Sequence, residues 1–275
     1  MKSALTSAAW IGLAVSSGSV PALAQLHDNT EKQMTCENGN NDSDRARHCD
    51  IREQNLPSTG SLSVDAGQNG GVAVKGWLQS NVLVRARIEA SGDTEAAAAG
   101  MASRVSIDTS AGQVKAIGPE SADNSSWSVS YEIFVPQTTD LTIKAHNGGI
   151  TISDVRGQIH FDGHNGGVHL KRVAGDVSGT TVNGGVQVEL TGAIWEGRQL
   201  EVSTHNGGVT VLVPSSYSAH IQAETANGRI QSDFALATEV NAKSKNLDLN
   251  LGSGGPLIHI ATVNGGVRLK STESQ

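Results

Sequence analysis

Three histidines of this 275-residue chain stand directly before an Asn-Gly dipeptide, and their spacing is the first feature that could support chemistry. They are His146, His164 and His205. Neutral imidazoles held one repeat apart could share a transition metal. The same position in other copies of the motif holds an aliphatic residue, namely Val182, Ala226 or Val263. Because the position tolerates valine and alanine, we interpret the histidines as flanks of a turn and predict no metal site and no cofactor.

Charged side chains offer a second candidate, an active site of the kind found in polysaccharide lyases and other carbohydrate-active β-helix enzymes. Such a site needs carboxylates and a basic residue that converge on one groove. The nearest approach is the set Asp154, Arg156, Asp162, Lys171, Arg172 and Asp176. Alternating charges at outward strand positions are more typical of a solvated face. The chain also lacks a Gly-x-Ser-x-Gly motif, so we expect no catalytic residues.

Tryptophans are a third candidate, because exposed aromatic rings can stack on sugars. Trp77 and Trp127 lie within or beside predicted strands, where packing is the simpler explanation. Trp195 lies in an insertion at 192–197 that interrupts a repeat, and insertions in repeat proteins map to surface loops. We therefore predict that Trp195 marks an interaction loop.

The elements that must position these residues form an internal repeat. Asn-Gly-Gly occurs at 147–149, 165–167 and 183–185, a step of 18 residues, and each copy opens a short run of alternating apolar and polar residues. Alternation over four to six residues between glycines predicts half-buried strands. Two strands and two turns in each unit favour one coil of a parallel solenoid, with successive coils about 4.8 Å apart.

The asparagines have a structural role in this interpretation. An Asn-Gly-Gly corner can supply a left-handed φ followed by residues without a Cβ, and stacked amides can form a hydrogen-bonded ladder. We predict one column made of Asn147, Asn165, Asn183, Asn206 and Asn227. Asn-Gly is also a common hairpin signal, so a meander of antiparallel hairpins remains the competing geometry.

The N-terminal part of the chain predicts export. Residues 1–24 have a lysine, an apolar core and an Ala-Leu-Ala cleavage site, the pattern of a signal peptide. A polar segment at 25–59 holds the two cysteines, Cys36 and Cys49. In an oxidising compartment this pair predicts a disulfide, whereas the EF-hand pattern of a calcium loop fails at the turn glycine. We expect a periplasmic, extracellular or cell-surface location.

The remaining residues, 60–271, are predicted to form one all-β domain, a parallel single-stranded β-helix or β-roll with coils of about 18–23 residues. An alanine-rich stretch near 94–103 predicts one short connector helix. The last copy of the motif begins at Asn264, and we expect it to cap the array. The formal net charge of −7 argues against a nucleic-acid partner.

Four motifs carry a resemblance to a known family: the repeated Asn-Gly-Gly-Val, Gly-Trp followed by Val-x-Val-Arg-Ala-Arg, Trp-Ser-Val-Ser-Tyr-Glu-Ile-Phe-Val-Pro, and Val-Pro-x-x-Tyr-Ser-Ala. Taken in order over about residues 60–270, the chain resembles the bacterial putative-adhesin domain family, whose function is unknown. The resemblance implies a β-helix or β-roll at the cell envelope, and it brings no catalytic residues.

The expected function is therefore that of a non-enzymatic exported envelope protein, a β-solenoid scaffold for adhesion or for interaction with a protein or polysaccharide. The expected partner is an envelope protein or a surface polysaccharide, with no membrane span. A carbohydrate-active β-helix enzyme is the alternative.

Overall fold

The computed structural model describes residues 34–36, 45–122, 124–234 and 245–273. The predicted signal peptide at 1–24 lies outside the described residues. The elements are β1 Ala46–Pro57, β2 Ser61–Asp65, β3 Val72–Trp77, β4 Asn81–Gly92, α1 Glu95–Ser103, β5 Ser106–Asp108, β6 Gln113–Ile117, β7 Ser126–Pro136, β8 Asp140–Asn147, β9 Ile150–Ser153, β10 Arg156–Asn165, β11 Val168–Lys171, β12 Ala174–Asn183, β13 Val186–Glu189, β14 Gln199–Asn206, β15 Val209–Pro214, β16 Ala219–Thr225, β17 Ile230–Ser232, β18 Asn246–Leu251, β19 Leu257–Asn264 and β20 Val267–Thr272.

The strands form two large sheets, which we name sheet I and sheet II. Sheet I has the strand order β1-β4-β7-β3-β9-β11-β13-β15-β20-β17. Sheet II has the order β18-β16-β19-β14-β12-β10-β8-β2-β6-β5. From β8 to β15 the chain alternates between the two sheets, and each strand pairs in parallel with its equivalent one repeat later. The predicted all-β class and mostly parallel sheets are confirmed, and the meander of hairpins is wrong for this array.

Alternating residues explain how the two sheets share one core. In β10, Ile159 faces inward and lies opposite Leu141 of β8 and Val177 of β12. All three are at most 2% exposed, and burying each side chain contributes roughly 1.5–3 kcal/mol. At the next inward position, the large side chain of Phe161 in β10 lies opposite Gly179 in β12, which has no side chain. A Cβ on Gly179 would lie 2.4 Å from the ring of Phe161. We call each repeating unit, a strand of sheet II followed by a strand of sheet I, a winding. The core is therefore filled by large and small side chains that complement each other in neighbouring windings.

The backbone conformation at the corners of the array differs from the prediction. The only non-glycine residues with positive φ among those described are Ala111, Asp154 and Arg172, so no asparagine of the ladder adopts the left-handed conformation. The glycine after each asparagine is instead required by close approach. A Cβ on Gly166 would lie 2.2 Å from the carbonyl oxygen of Gly148 in the preceding winding. Real Cβ atoms do not come so near, and the backbone there is held by hydrogen bonds.

Seven asparagine side chains form a continuous ladder along this corner. Each Nδ2 donates to the Oδ1 of the preceding member over 2.7–3.0 Å. The order in space is Asn69, Asn147, Asn165, Asn183, Asn206, Asn264 and Asn227. The five asparagines of the predicted column lie in it, together with Asn69 and Asn264. These bonds satisfy amide groups at a corner where the strands end.

Strands at both ends of the array are antiparallel. β4 pairs with β1 and β7, β5 pairs with β6, and β18 pairs with β16, all in antiparallel register. The predicted connector helix is present as α1, and Thr94 caps it by accepting a hydrogen bond from the N–H of Ala97 over 3.1 Å. Ala98, Met101 and Ala102 bury one face of α1.

The prediction that the last motif copy caps the array is wrong. β19 lies between β14 and β16, and β20 lies between β15 and β17. Ile258 of β19 is thereby opposite both Leu200 and Ile221. Since every winding offers the same inward apolar residues, the sequence pattern cannot distinguish one neighbour from another. The end of the array is formed by β16, β17 and β18.

Replacing Gly166 with alanine should lower the free energy of unfolding by about 3 kcal/mol, because the added methyl group meets fixed backbone of the neighbouring winding. Gly167→Ala is the matched control, since its Cβ would meet the carbonyl of Gly185 at an ordinary 3.5 Å. The control should leave stability unchanged or raise it by up to about 1 kcal/mol. Urea denaturation measures both, and equal losses would contradict the close-approach explanation.

Replacing Asn183 with alanine should cost about 1–2 kcal/mol of stability, because its side chain both donates and accepts within the ladder. Asn227→Ala is the comparison, since Asn227 makes one ladder bond only, to Asn264. We expect about half the loss there, measured by the same denaturation. An Asn183→Ala loss no larger than that of Asn227→Ala would show that the ladder bonds are no better than bonds to water.

Candidate functional site

A shallow polar groove crosses the outer face of sheet II where its central strands begin. Its volume is about 510 Å³, and it is open to solvent. The polar side chains that line it come from successive windings: Ser61, Ser63, Asp140, Thr142, Gln158, His160, Asp176, Ser178, Arg198 and Gln199. Because alternate residues of a strand point outward, each winding adds its own polar side chains to the groove.

The parallel register fixes the side chains of the groove relative to one another. The Asp140 carboxylate accepts a hydrogen bond from the backbone N–H of Gln158 over 2.7 Å. One winding further on, Nδ1 of His160 lies 3.2 Å from the hydroxyl of Ser178. Gln158 and His160 themselves are exposed. The groove therefore presents a rigid row of amide, imidazole and hydroxyl groups to solvent.

Asp176 and Arg198 form the strongest electrostatic pair of the groove. Nε of Arg198 lies 2.6 Å from Oδ2 of Asp176, and the backbone N–H of Arg198 donates to Oδ1 over 3.1 Å. The guanidinium hydrogen bond holds the pKa of the Asp176 carboxyl below its usual value. The same bond raises the pKa of Arg198. Asp176 is consequently ionised at neutral pH and is poorly suited to act as a general acid.

The charged residues predicted as an active-site candidate do not converge on one groove. Directly after the ends of β11 and β9 of sheet I, Arg172 makes a two-bond ion pair with Asp154, with distances of 2.6 and 2.8 Å. Lys171 lies 3.6 Å from the carboxylate of Glu189. These pairs connect successive windings on the sheet opposite to the groove.

The other members of that set lie on sheet II. Asp162 is exposed on β10, and Arg156, at the start of β10, pairs with Glu196. Asp176 alone lines the groove. The six residues are thus divided between sheet I and sheet II. Their periodic spacing arises because charged side chains form ion pairs with neighbouring windings.

Two of the three histidines considered as metal ligands lie next to each other. The rings of His146 and His164 stack with centroids 4.5 Å apart and planes inclined by 5°. Val182 separates this pair from His205. The lone pairs of stacked imidazoles lie in parallel planes, so they do not point at a common metal position. Throughout the described part of the chain, no three histidine, cysteine or acidic side chains are grouped as metal ligands.

Trp195, predicted to mark an interaction loop, does not present its ring to solvent. Its side chain is buried, with 4% exposure, and its indole N–H donates to the carbonyl of Gly175 over 3.0 Å. The insertion folds its aromatic residue back onto the array because an indole can bury its ring and satisfy its one donor at the same time. What the loop exposes is Ile194, at 42%.

Sequence reasoning missed a charged cluster over the outer face of sheet I. Glu132 is 6% exposed, and its carboxylate binds Lys75 at 2.6 Å and Arg85 at 3.3 Å. Both cations also lie over the buried ring of Phe134, at 5.4 and 5.3 Å from its centroid. Lys75 lies in β3, Arg85 in β4 and Glu132 in β7. These strands are far apart in sequence, and only their pairing brings the three side chains together.

The predicted disulfide is present between Cys36 and Cys49, whose Cα atoms are 5.9 Å apart. It attaches residues 34–36 to the edge strand β1. Most of the loop between the cysteines lies outside the described residues. The sole α-helix of the described ranges is α1, with nine residues. No helix in those ranges is long and apolar enough to cross a bilayer.

Comparison with known proteins gives one family and several distant structural relatives. Residues 135–270 match the model of the family described as Toastrack DUF4097. No curated protein sequence matches the chain. The family match runs from the end of β7 into β20 and contains six of the seven ladder asparagines, all but Asn69, together with the groove strands β8, β10, β12 and β14.

Three similar solved structures are named for adhesion or lipid binding. A "putative cell adhesion protein" from Clostridium sporogenes is 13% identical, covers 82% of this chain and 100% of that one, and has a TM-score of 0.42. A "putative adhesin" from Bacteroides fragilis is 11% identical over 81% and 97% of the chains, with a TM-score of 0.37. A "putative lipid binding protein" from Parabacteroides distasonis is 8% identical over 80% and 96%, with a TM-score of 0.34.

These structural likenesses are distant, and the family assignment rests on the sequence match together with the repeated motifs it contains. Residues 135–270 are a domain of the Toastrack family, and the predicted resemblance to the bacterial putative-adhesin domain family is confirmed.

Proposed function

We propose that the protein is a non-enzymatic, exported protein of the cell envelope, built as a single-stranded parallel β-helix whose outer surface binds a surface polysaccharide or another envelope protein. The observation that carries this proposal is the polar groove on sheet II, in which parallel pairing fixes a row of hydrogen-bonding side chains. A rigid site loses little conformational entropy when a partner binds. A row of amides, hydroxyls and carboxylates suits a hydroxyl-rich polymer.

The geometry of the groove supports binding over catalysis. Its carboxylates are already engaged: Asp140 holds the backbone of the next winding and Asp176 holds Arg198. A hydrolase or lyase needs a carboxyl or basic group poised to give or take a proton from substrate. An ionised aspartate paired with a guanidinium provides charge and orientation instead.

The disulfide supports an exported location. Disulfides persist in oxidising compartments such as the periplasm and the cell surface, and they are rare in the cytosol. The signal-peptide pattern of the first 24 residues agrees with this location. Both features suit a protein that meets its partner in the envelope.

A groove variant should lose binding to the partner. We expect Gln158→Ala combined with His160→Ala to weaken binding about tenfold, which corresponds to loss of about 1.4 kcal/mol from two polar contacts. The measurement is retention on a panel of bacterial surface polysaccharides and on envelope proteins immobilised from extract. The matched control replaces His169 and Gln187, which lie opposite each other on the outer face of sheet I. Equal loss in both variants, or in neither, would contradict the groove as the binding face.

The protein should not turn over polysaccharide. Incubated with a polysaccharide panel in the presence of calcium, it should release neither unsaturated products nor new reducing ends, because its carboxylates are paired or dispersed over two faces. Turnover that disappears in Asp162→Asn or Lys171→Gln would favour the enzyme instead. Gln187→Ala, on the outer face of sheet I, serves as the control for nonspecific effects of substitution.

A further inference from the structure

The asparagine ladder contains seven Asn-Gly dipeptides, and these are chemically the most labile peptide sequences in proteins. The backbone nitrogen of the glycine can attack the side-chain carbonyl carbon of the asparagine, since glycine offers no side chain to obstruct the ring that forms. Two restraints oppose this attack in a folded protein. One is a hydrogen bond that engages the glycine N–H, and the other is a set of bonds that fixes the asparagine side chain.

The corners at Asn147, Asn165, Asn183 and Asn206 have both restraints. At Asn264 the N–H of Gly265 has no acceptor among the described residues, but the Asn264 side chain is held by both ladder bonds. The N–H of Gly166 donates to the carbonyl of Asn183 over 3.0 Å, and the N–H groups of Gly148, Gly184 and Gly207 are engaged in the same way. The side chain of Asn165 donates to one neighbour of the ladder and accepts from the other. To react, such a corner must first break contacts with the adjacent windings.

The corner at Asn227 has neither restraint in full. Asn227 ends the ladder, so Nδ2 donates to Asn264 over 2.9 Å, whereas no described residue donates to its Oδ1. The N–H of Gly228 likewise has no hydrogen-bond acceptor among the described residues. The backbone shifts here: Asn227 donates its own N–H to Val263 over 2.7 Å.

Exposure does not distinguish the corners from one another. Every asparagine of the ladder is exposed, and the glycine that follows each of them is half-buried. Water and hydroxide therefore reach all seven alike. What differs at Asn227 is the hydrogen bonding of the two reacting groups.

A cation also lies beside this corner. Nζ of Lys245 donates to the carbonyl oxygen of Gly228 over 2.7 Å. A positive charge at this distance favours the anionic nitrogen and the anionic intermediate that the reaction requires. Within the described residues, no lysine or arginine bonds to the glycine that follows any other asparagine of the ladder.

We propose that Asn227 is a site of spontaneous deamidation, the one member of the ladder that converts readily while the protein is folded. Solvent base removes the proton of the Gly228 amide, and the nitrogen forms a bond to Cγ of Asn227. The C–N bond to the side-chain amide breaks, and ammonia leaves with a proton from solvent. Water then opens the resulting succinimide at either carbonyl to give aspartate or isoaspartate, without any change of oxidation state.

The conversion alters the end of the ladder. An aspartate at 227 has no Nδ2 to donate to Asn264, and it adds one negative charge to the corner. An isoaspartate also places an extra methylene in the main chain next to β17. The change is confined to the terminal winding, because the next member, Asn264, is still held by Asn206.

The test is peptide mapping by mass spectrometry of the folded protein incubated in mildly alkaline buffer, with isoaspartate resolved by chromatography. We expect Asn227 to convert at least about ten times faster than Asn165, because two hydrogen-bond restraints are missing. Asn69 is the internal control: it too makes one ladder bond, but the N–H of Gly70 is engaged with Asn147 over 3.1 Å. Asn69 should therefore react slowly, like Asn165.

Two further arms make the outcome decisive. In concentrated urea the difference between Asn227 and Asn165 should disappear, since the restraints belong to the folded state. The variant Asn227→Gln should abolish the early product while leaving the slow conversion of the other corners unchanged. The proposal fails if Asn227 reacts no faster than Asn69 and Asn165 in the folded protein, or if its advantage persists in urea.

Discussion

The close approach of successive windings at the Asn-Gly-Gly corner is the constraint on which the rest of the structure depends. Backbone meets backbone there, and the second residue of the motif has no room for a Cβ. With the corner fixed, each strand must pair with its equivalent one winding away, residue for residue. The inward alternation of one winding then continues that of the next, and a single core results. Substitutions elsewhere change which side chains lie opposite one another, while the corner fixes the register that aligns them.

The surface chemistry follows from the same register. A charge on one winding finds its partner on the next, as Arg172 finds Asp154 and Arg198 finds Asp176. Threonines that face inward near the corner satisfy their hydroxyls in a similar way: Thr204 donates to the carbonyl of Gly184 over 2.7 Å. Polar groups are thus satisfied along the axis of the array rather than within one winding. The groove on sheet II is one such set of columns left open to solvent.

The sequence was sufficient to predict the strands, the buried faces and the disulfide, because each depends on local pattern or composition. Ile150, Ile152, Val168 and Leu170 are buried as the alternation requires. The helix α1 also lies where its alanines place it. These features are set by residues that are near one another in the chain.

Features that depend on distant residues were not predictable in the same way. The sequence predicts the correct residues for the asparagine corner but the wrong backbone conformation. A glycine can be required either by a positive φ or by close approach of a neighbouring backbone, and the sequence does not distinguish the two. The partner of Asp176 lies 22 residues away, beyond the 18-residue step, so the pattern gave no sign of it. The burial of Trp195 is equally hidden from the sequence, since an insertion does not reveal which of its side chains folds back onto the array.

The position of β19 and β20 has a consequence for how the molecule is made. Both strands follow β16, β17 and β18 in sequence, yet they lie between those strands and the earlier windings. The array therefore cannot grow by adding windings in the order of synthesis. When β16 and β17 have been synthesised, their neighbours β19 and β20 have not. The outer edges of β14 and β15 therefore stay unpaired until that later segment is made. Assembly at this end is a closing step that brings residues far apart in sequence together, the kind of step that is slow and exposes apolar edges to other chains meanwhile.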